Sequence, residues 1–524
     1  MATSPQTTTE KGWGVLEAIR YRARTDPAAP FLTYIGDDGT EILSNEEFSD
    51  LVSLASERLV RAGLRRGETC ILHTGNTRDF VVLLAAIVDL GAVAVPTIAM
   101  STADELTYVV GHSEAHLLLT TKELISVARA AVDGLPCSVH LASDAVSGSP
   151  DVVVHVGDAT SPCPSGTAIL MYTSGTSGRP KGVLLSADAI DFTVTSYAEH
   201  LRLRDDDTVL ICMPLFHVNG MMLQLLPAVV SGAHVVLVPK FSASNYWRWV
   251  AEHHVTVGHL VSGPIRLLLG KSDQAPSQSM RAMTFGLPLA EDEIAEFRDR
   301  FGVPLLMVWG LTETCCGATL MGLGHAQRPQ HQNLGRALRG WDVKAVDSAD
   351  NAVAPGQHGE LLVGSPGIMT GYHRDPDATR STIRNGYVAT GDLGFIDDDG
   401  YVHFVSRIKD MLKPNGENVA AQEIADALER HADVAEAAVF GVDDPITAER
   451  VIAAVILTPG ATVTMPDLRD HCANFLAGFK VPSEIYAVES IPKTSIGKQQ
   501  LSALKIDYLR GNFGSDGEDA RARA

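Results

Sequence analysis

Residues 171–182 read Met-Tyr-Thr-Ser-Gly-Thr-Ser-Gly-Arg-Pro-Lys-Gly, and this stretch constrains the chain more than any other. Apolar Ala168, Ile169, Leu170 and Met171 lead into it as a strand end would. Then come the hydroxyls of Thr173, Ser174, Thr176 and Ser177, the glycines Gly175, Gly178 and Gly182, and the cations Arg179 and Lys181. Glycines let successive backbone N–H groups turn toward one bound group, and hydroxyls add donors. Such a loop suits an anion with many acceptor oxygens, of which a nucleotide triphosphate is the obvious case. The pattern predicts a helix over residues 187–200 directly after it. Strand, glycine-rich loop and helix in succession make the unit of a helix-covered parallel sheet.

The stretch is not the common P-loop. Position 180 is Pro, so Gly-Lys-Ser/Thr is not completed there. Gly270-Lys271-Ser272 has the right ending, but Ile265 stands where the first Gly belongs; Gly497-Lys498 is followed by Gln499. No G-x-G-x-x-G occurs. A Ser/Thr/Gly-rich loop alone is more often plain surface; the tight order of hydroxyls, glycines and Lys181 is what makes this one specific.

The rest of the chain bounds the setting. A length of 524 residues implies two or more domains. A formal net charge of −21 argues against a general nucleic-acid or anionic-membrane binder. The seven cysteines are scattered, include the adjacent Cys315 and Cys316, and form no C-x-x-C pair. A cytoplasmic location is the simplest fit. Residues 1–10 carry no signal-peptide core, and the most apolar region, 80–100, is broken by Asp89, Gly91 and Pro96, so no membrane span is expected.

Along the chain, helical patterns alternate with short β-branched runs. A helix is expected through residue 62, with Ser44 as N-cap and Glu47 completing a capping box, then Gly63 as its C-terminal glycine. Strands are expected at 70–72, 92–95, 117–120, 208–213, 234–238, 255–260 and 304–308. After 333 the many glycines punctuate short strands, which suits a small β-barrel-like subdomain over about 334–405. From there the pattern becomes helix 421–430, strands 435–441 and 450–457, and helix 465–476. The fold class expected is α/β. A large N-terminal region, 1–408, has mostly parallel, helix-covered sheets and the β-rich part; a small mobile α+β domain follows at 409–524. Residues 1–11 and 511–524 read as tails.

With these motifs in order along nearly the whole chain, the sequence resembles the adenylate-forming superfamily: acyl-CoA synthetases, stand-alone adenylation domains and luciferase. The resemblance gives the loop Thr173, Ser174, Gly175, Thr176, Ser177, Gly178 and Lys181 to the phosphates of ATP. Trp309-Gly310-Leu311-Thr312-Glu313 matches the family's motif after a strand. There Glu313 holds Mg2+ and Thr312 meets the α-phosphate, and Trp309 is bulkier than the family's usual Tyr. Gly286, Leu287 and Pro288 match the adenine-contacting stretch, although a small residue is usual at 287. Asp392 matches the ribose carboxylate and Arg407 the ribose arginine, here preceded by Ser406 instead of Gly. His217, in Met213-Pro214-Leu215-Phe216-His217, matches the residue beside the acyl carboxylate; from the sequence alone it is as readily a core histidine. Val261, Ser262, Met222 and Cys315 fit the acyl-pocket wall or ordinary core.

Lys409 matches the hinge, Gly416 the loop lining the pantetheine tunnel, and Lys498, in Pro492-Lys493-Thr494-Ser495-Ile496-Gly497-Lys498, the adenylation lysine. The resemblance therefore implies an ATP-dependent carboxylate–CoA ligase with ATP, Mg2+ and coenzyme A as cofactors and a small carboxylic acid as substrate. Loading of an acyl carrier protein phosphopantetheine is the alternative. A non-catalytic nucleotide sensor is a third reading, against which the retention of Lys498 argues.

Overall fold

The computed structural model describes residues 14–37, 39–147, 163–173, 180–271, 279–330, 332–414, 419–444, 448–493 and 499–513. The expected tails lie outside these residues, apart from 511–513. The chain forms two compact units, interleaved along the sequence. One takes residues up to 343 with 362–390 and 400–402; the other takes 344–361, 391–399 and everything from 403.

Two large sheets carry the first unit. The nine-stranded sheet places Pro30–Gly36, His234–Leu237, Thr208–Ile211, Val257–Val261, Ala282–Gly286 and Leu305–Trp309 side by side, all parallel. Gly39–Ser44 edges it antiparallel at one end, Thr319–Leu320 and Arg336–Ala337 at the other. The seven-stranded sheet has Val93–Pro96, Thr69–His73, Leu117–Thr120 and Ser138–Leu141 in parallel. Thr167–Thr173 joins Val93–Pro96 in parallel, and Lys181–Ser186 and Gly371–Tyr372 complete the sheet antiparallel. The strands Thr69–His73 and Leu117–Thr120 are buried throughout, as expected of parallel strands covered by helices on both faces.

Local chemistry explains the helices. Helix Asn45–Arg61 begins with the capping box of Ser44 and Glu47 and ends at Ala62, followed by Gly63 at φ +95°. Ala103–Ser113 has a second box, Thr102 with Glu105. Helix Ala187–Leu201 is capped by Ser186, whose hydroxyl accepts from the Ala189 N–H. One expectation changes here: the strand Lys181–Ser186 intervenes between the glycine-rich loop and that helix. Gly182, Val183, Leu184 and Leu185 are all buried, so the segment shows no alternation to announce it.

After 333, Asp342–Val346, Gly359–Gly364, Tyr387–Ile396, Ile383–Arg384 and Val402–Arg407 form a five-stranded sheet, while Arg336–Ala337 and Gly371–Tyr372 join the two large sheets. In the second unit Val434–Asp444 pairs antiparallel with Ala448–Leu457, which pairs in parallel with Glu484–Ala487. Alternate residues serve opposite faces. Ala437, Val439, Val451, Ala453 and Val455 pack with Ile424, Leu428, Leu468 and Cys472. Ala438, Phe440, Ile452 and Ala454 pack with Ile491 and Leu504.

Candidate active site

The strands on either side of the glycine-rich segment pair antiparallel with each other. Thr173 pairs with Lys181 and Tyr172 with Gly182, so the strands fix where the loop leaves and returns. Ser174, Gly175, Thr176, Ser177 and Gly178 fall outside the described residues. The paired strand ends are held from the side. Tyr108 Oη donates to the Pro180 carbonyl at 2.9 Å, and Tyr172 Oη meets His112 Nδ1 at 2.8 Å. His373 closes the group, its N–H donating to the Gly182 carbonyl at 2.7 Å. A Cβ on Gly182 would stand 2.8 Å from Leu170 Cδ1, so glycine keeps this corner closed.

The carboxyl ends of the parallel strands in the nine-stranded sheet bring together the next group, where open α/β sheets bind ligands. Ala282–Gly286 runs beside Leu305–Trp309, with Phe285 opposite Met307. Gly286, Leu287 and Pro288 therefore leave the sheet next to Trp309, Gly310 and Leu311. Leu287 sits at φ +70°, a conformation that resists a large side chain. Beyond Trp309 the chain turns sharply. Thr312–Thr314 is one 3-10 turn, tied by the Leu311 N–H donating to Thr314 Oγ1 at 2.9 Å, and Cys315 and Cys316 follow at φ +47° and +68°. A Cβ on Gly310 would lie 2.5 Å from the Cys316 carbonyl, so the turn crosses directly over that residue.

The turn aims Glu313 at Tyr372. Tyr372 Oη donates to Glu313 Oε1 at 2.7 Å, and the Met369 N–H donates to the Glu313 carbonyl at 2.8 Å. Tyr372 itself lies in the strand paired with Lys181–Ser186, opposite Val183. Lys181 Nζ stands 4.9 Å from the centre of the Tyr372 ring. Burial, and then the Glu313 carboxylate, push the phenol well above its ordinary range, so Tyr372 keeps its proton and acts as donor. The structure thus joins Lys181 and Glu313, 132 positions apart in the sequence numbering, through one aromatic residue.

His217 follows strand Thr208–Ile211 and precedes the short helix Val218–Gly220. Gly220 packs against the Pro214 carbonyl, where a Cβ would approach to 2.4 Å. Cys316 Sγ donates to Asn219 Oδ1 at 3.1 Å and ties this segment to the Glu313 turn. His217 is half-buried, its ring 4.7 Å from Phe216, and its Nε2 has no partner among the described residues. Burial pushes it down to about 4, so it is neutral at pH 7.

The second unit holds the remaining candidates. Asp392, on Tyr387–Ile396, is buried, and Arg407, at the end of Val402–Arg407, places Nε 2.7 Å from its Oδ1. Lys409 is exposed in the 3-10 turn Ile408–Asp410. The ribbon of Met411–Leu412 with Val419–Ala420 sets the base of the segment containing Gly416, itself outside the described residues. Lys498 is also outside them, but the base of its loop is defined. Lys493 and Gln499 form an antiparallel bridge, and Glu436 accepts from Lys493 Nζ at 2.7 Å and from Gln499 Nε2 at 2.9 Å.

The pattern of the AMP-binding enzyme family matches residues 19–373, and that of the AMP-binding enzyme C-terminal domain matches 423–498. The chain belongs to the AMP-binding enzyme family. Sulfoacetate–CoA ligase of Cupriavidus necator is 32% identical over 492 residues, 92% of this chain and 95% of that protein. Oxalate–CoA ligase of Arabidopsis thaliana is 30% identical over 483 residues, 89% and 94% of the two chains. ATP-bound MatB from Rhodopseudomonas palustris superposes with a TM-score of 0.87 at 26% identity, covering 95% of this chain and 99% of that one. O-succinylbenzoate coenzyme A synthetase (MenE) of Bacillus subtilis with ATP and magnesium gives 0.81 at 26% identity, covering 93% and 99%.

For this member of the family, the described residues contain no cluster of three or more metal-ligating side chains. A single carboxylate suits Mg2+, which takes one or two carboxylates and completes its octahedron with phosphate and water. Glu313 fits that demand, because Tyr372 engages Oε1 and no described residue is bonded to Oε2. Tyr108, Tyr372 and Glu436 escaped the sequence reading. Each acts through a partner more than fifty positions away. Only their contacts in the folded chain reveal them.

Proposed function

We propose that this chain, an acyl-CoA synthetase of the AMP-binding enzyme family, activates a small carboxylic acid in two steps within one cleft. ATP, Mg2+ and coenzyme A are its cofactors. In the first step a carboxylate oxygen attacks the α-phosphorus of ATP, and the bond to the pyrophosphate oxygen breaks. In the second, the CoA thiol attacks the acyl carbonyl and AMP leaves. The observation that carries the reading is the meeting of Lys181 and Glu313 at Tyr372, which brings a cation and a carboxylate able to hold a metal to one place beside the glycine-rich segment.

Glu313 would hold Mg2+, which would supply charge neutralisation for the departing pyrophosphate. Lys181 and the backbone of 174–178 hold the β- and γ-oxygens, and Thr312 donates to the α-phosphate. Gly286, Leu287, Pro288, Trp309, Gly310 and Leu311 frame the adenine. Asp392, held by Arg407, accepts from the ribose hydroxyls. Neutral His217 packs by the acyl carboxylate without adding charge. Lys498 stabilises the charge that builds on the α-phosphate. The part of the chain after 408 then turns about Lys409, withdraws Lys498 and brings the Gly416 backbone beside the pantetheine arm. Coenzyme A, rather than an acyl carrier protein, is the acceptor in this reading, supported by relatives named as CoA ligases. A cytoplasmic setting is supported by seven free cysteines; among the described residues no helix is long and apolar enough to cross a membrane.

The test is pyrophosphate release across short dicarboxylic, sulfonated, aliphatic and aryl acids, with AMP and acyl-thioester identified by chromatography. AMP with an acyl-CoA supports the reading. ADP, or thioester only on carrier protein, overturns it. Lys498→Ala is expected to abolish adenylate formation and spare thioester formation from pre-made acyl-adenylate; equal loss in both refutes the division of labour.

A further inference from the structure

The geometry points to Tyr372 as the positioning residue that keeps Lys181 and Glu313 apart and separately presented, so that Mg2+ and phosphate each find an unpaired charge. This rests on the nucleotide reading above. A lysine and a glutamate brought to one site neutralise each other if their charges can touch, and each is then lost to the ligand. Here a phenol stands between them. Its ring face receives the Lys181 ammonium, with Nζ 4.9 Å from the centre, and its hydroxyl donates to Glu313 Oε1 at 2.7 Å. Among the described residues Lys181 and Glu313 form no direct ion pair.

The strand that carries the phenol is fixed from three sides. Tyr372 is opposite Val183 in the strand pairing, its N–H donates to Thr379 Oγ1 at 2.9 Å, and the neighbouring His373 N–H holds Gly182. Gly371, at φ +153° and with a would-be Cβ 2.9 Å from Thr379 Cγ2, lets the strand pass that close. The backbone beneath the ring is therefore held in place, and Thr382 adds a further side-chain hydrogen bond to the phenol. The contacts to Glu313 and Lys181 divide the work. The hydroxyl sets the carboxylate rotamer and leaves Oε2 for the metal, while the face holds the ammonium by cation–π attraction, which a phosphate readily displaces.

The experiment is calorimetric titration of the full-length protein with α,β-methylene-ATP, with and without excess Mg2+. The readout is the factor by which Mg2+ tightens nucleotide binding, independent of turnover. Tyr372→Phe keeps the ring and removes the hydroxyl. It is expected to leave metal-free affinity unchanged and to reduce the Mg2+ factor about tenfold, the scale of a hydrogen bond to a charged group. Tyr372→Leu removes both contacts and is expected to weaken metal-free binding as well, as Lys181 and Glu313 pair directly. In a Glu313→Gln background, Tyr372→Phe is expected to change nothing further. A wild-type Mg2+ factor in Tyr372→Phe overturns the proposal and leaves the ligase reading standing. So does an equal loss in the Glu313→Gln background, which marks Tyr372 as merely structural. Absence of Mg2+-dependent nucleotide binding in the wild-type protein overturns both.

Discussion

Replacing Gly310 by alanine tests whether the Glu313 turn is set by backbone crossing rather than by its side chains. The new Cβ would lie 2.5 Å from both C and O of Cys316 and 2.8 Å from the Gly317 nitrogen. Carbon contacts are comfortable near 3.5 Å, so the crossing strand must retreat by about 1 Å. It has little slack. Cys316 N–H already donates to the Leu311 carbonyl at 2.7 Å, Ala318 N–H to the Trp309 carbonyl at 3.0 Å, and Cys315 and Cys316 occupy left-handed backbone. Overpacking of this kind costs about 1–3 kcal/mol. Displacing Glu313 by a comparable distance lowers turnover by about 10²-fold. Stopped-flow pyrophosphate release, beside thermal unfolding, reads both effects. Gly286→Ala is the companion: its Cβ meets nothing closer than the Val308 carbonyl at 3.9 Å, so stability is expected to hold while nucleotide affinity falls. Wild-type turnover and stability in Gly310→Ala refute the crossing argument.

Acid weakens the fold. Burial pushes His217 and His234 down to about 4 and His259 to about 3, so each binds its proton in the unfolded chain first. The stability they contribute is complete above about pH 6.5 and is lost as pH falls toward their folded values, at most ~1.4 kcal/mol per pH unit each and less for the partly exposed His217 and His234. Asp191, which burial raises to about 6, works the other way, but it is one group against three. The melting temperature is expected to drop steeply between pH 6.5 and 5; a flat profile contradicts the assignment. Glu436→Gln loosens both ends of the loop bearing Lys498 and is expected to lower adenylation about tenfold, the scale of a charge-assisted hydrogen bond, with thioester formation from acyl-adenylate unchanged. Gln224, on the π-helical turn Met221–Leu225, is buried with both amide atoms unpartnered among the described residues. Gln224→Met removes that penalty and is expected to stabilise the protein by about 1–3 kcal/mol in chemical denaturation; destabilisation would show that the amide has a partner in solution.

The parts of this molecule that were legible in its sequence share one property: their causes are close together along the chain. Ser44 and Glu47 cap a helix because they are three residues apart, and alternation from Val434 to Val442 divides two cores because neighbouring side chains point oppositely. The strand Lys181–Ser186 was hidden because burial on both faces erases the alternation that marks strands. The site divides in the same way. Groups that wrap an anion tend to supply backbone N–H donors close together in sequence, so the phosphate residues proposed between Thr173 and Lys181 stand as one run. A residue that holds a ligand-contacting side chain in place need only be near it in space. Tyr372 reaches Glu313 across 59 positions, and Glu436 reaches Lys493 across 57. Nothing in the spacing of such residues could mark them. Their functional weight comes from what they prevent: the collapse of a lysine onto a glutamate, or the release of a loop from its strand. Those alternatives exist only once the chain is folded, so the recognisable motifs define which ligand the protein binds, and unremarkable residues such as Tyr372 determine whether the motifs are free to bind it.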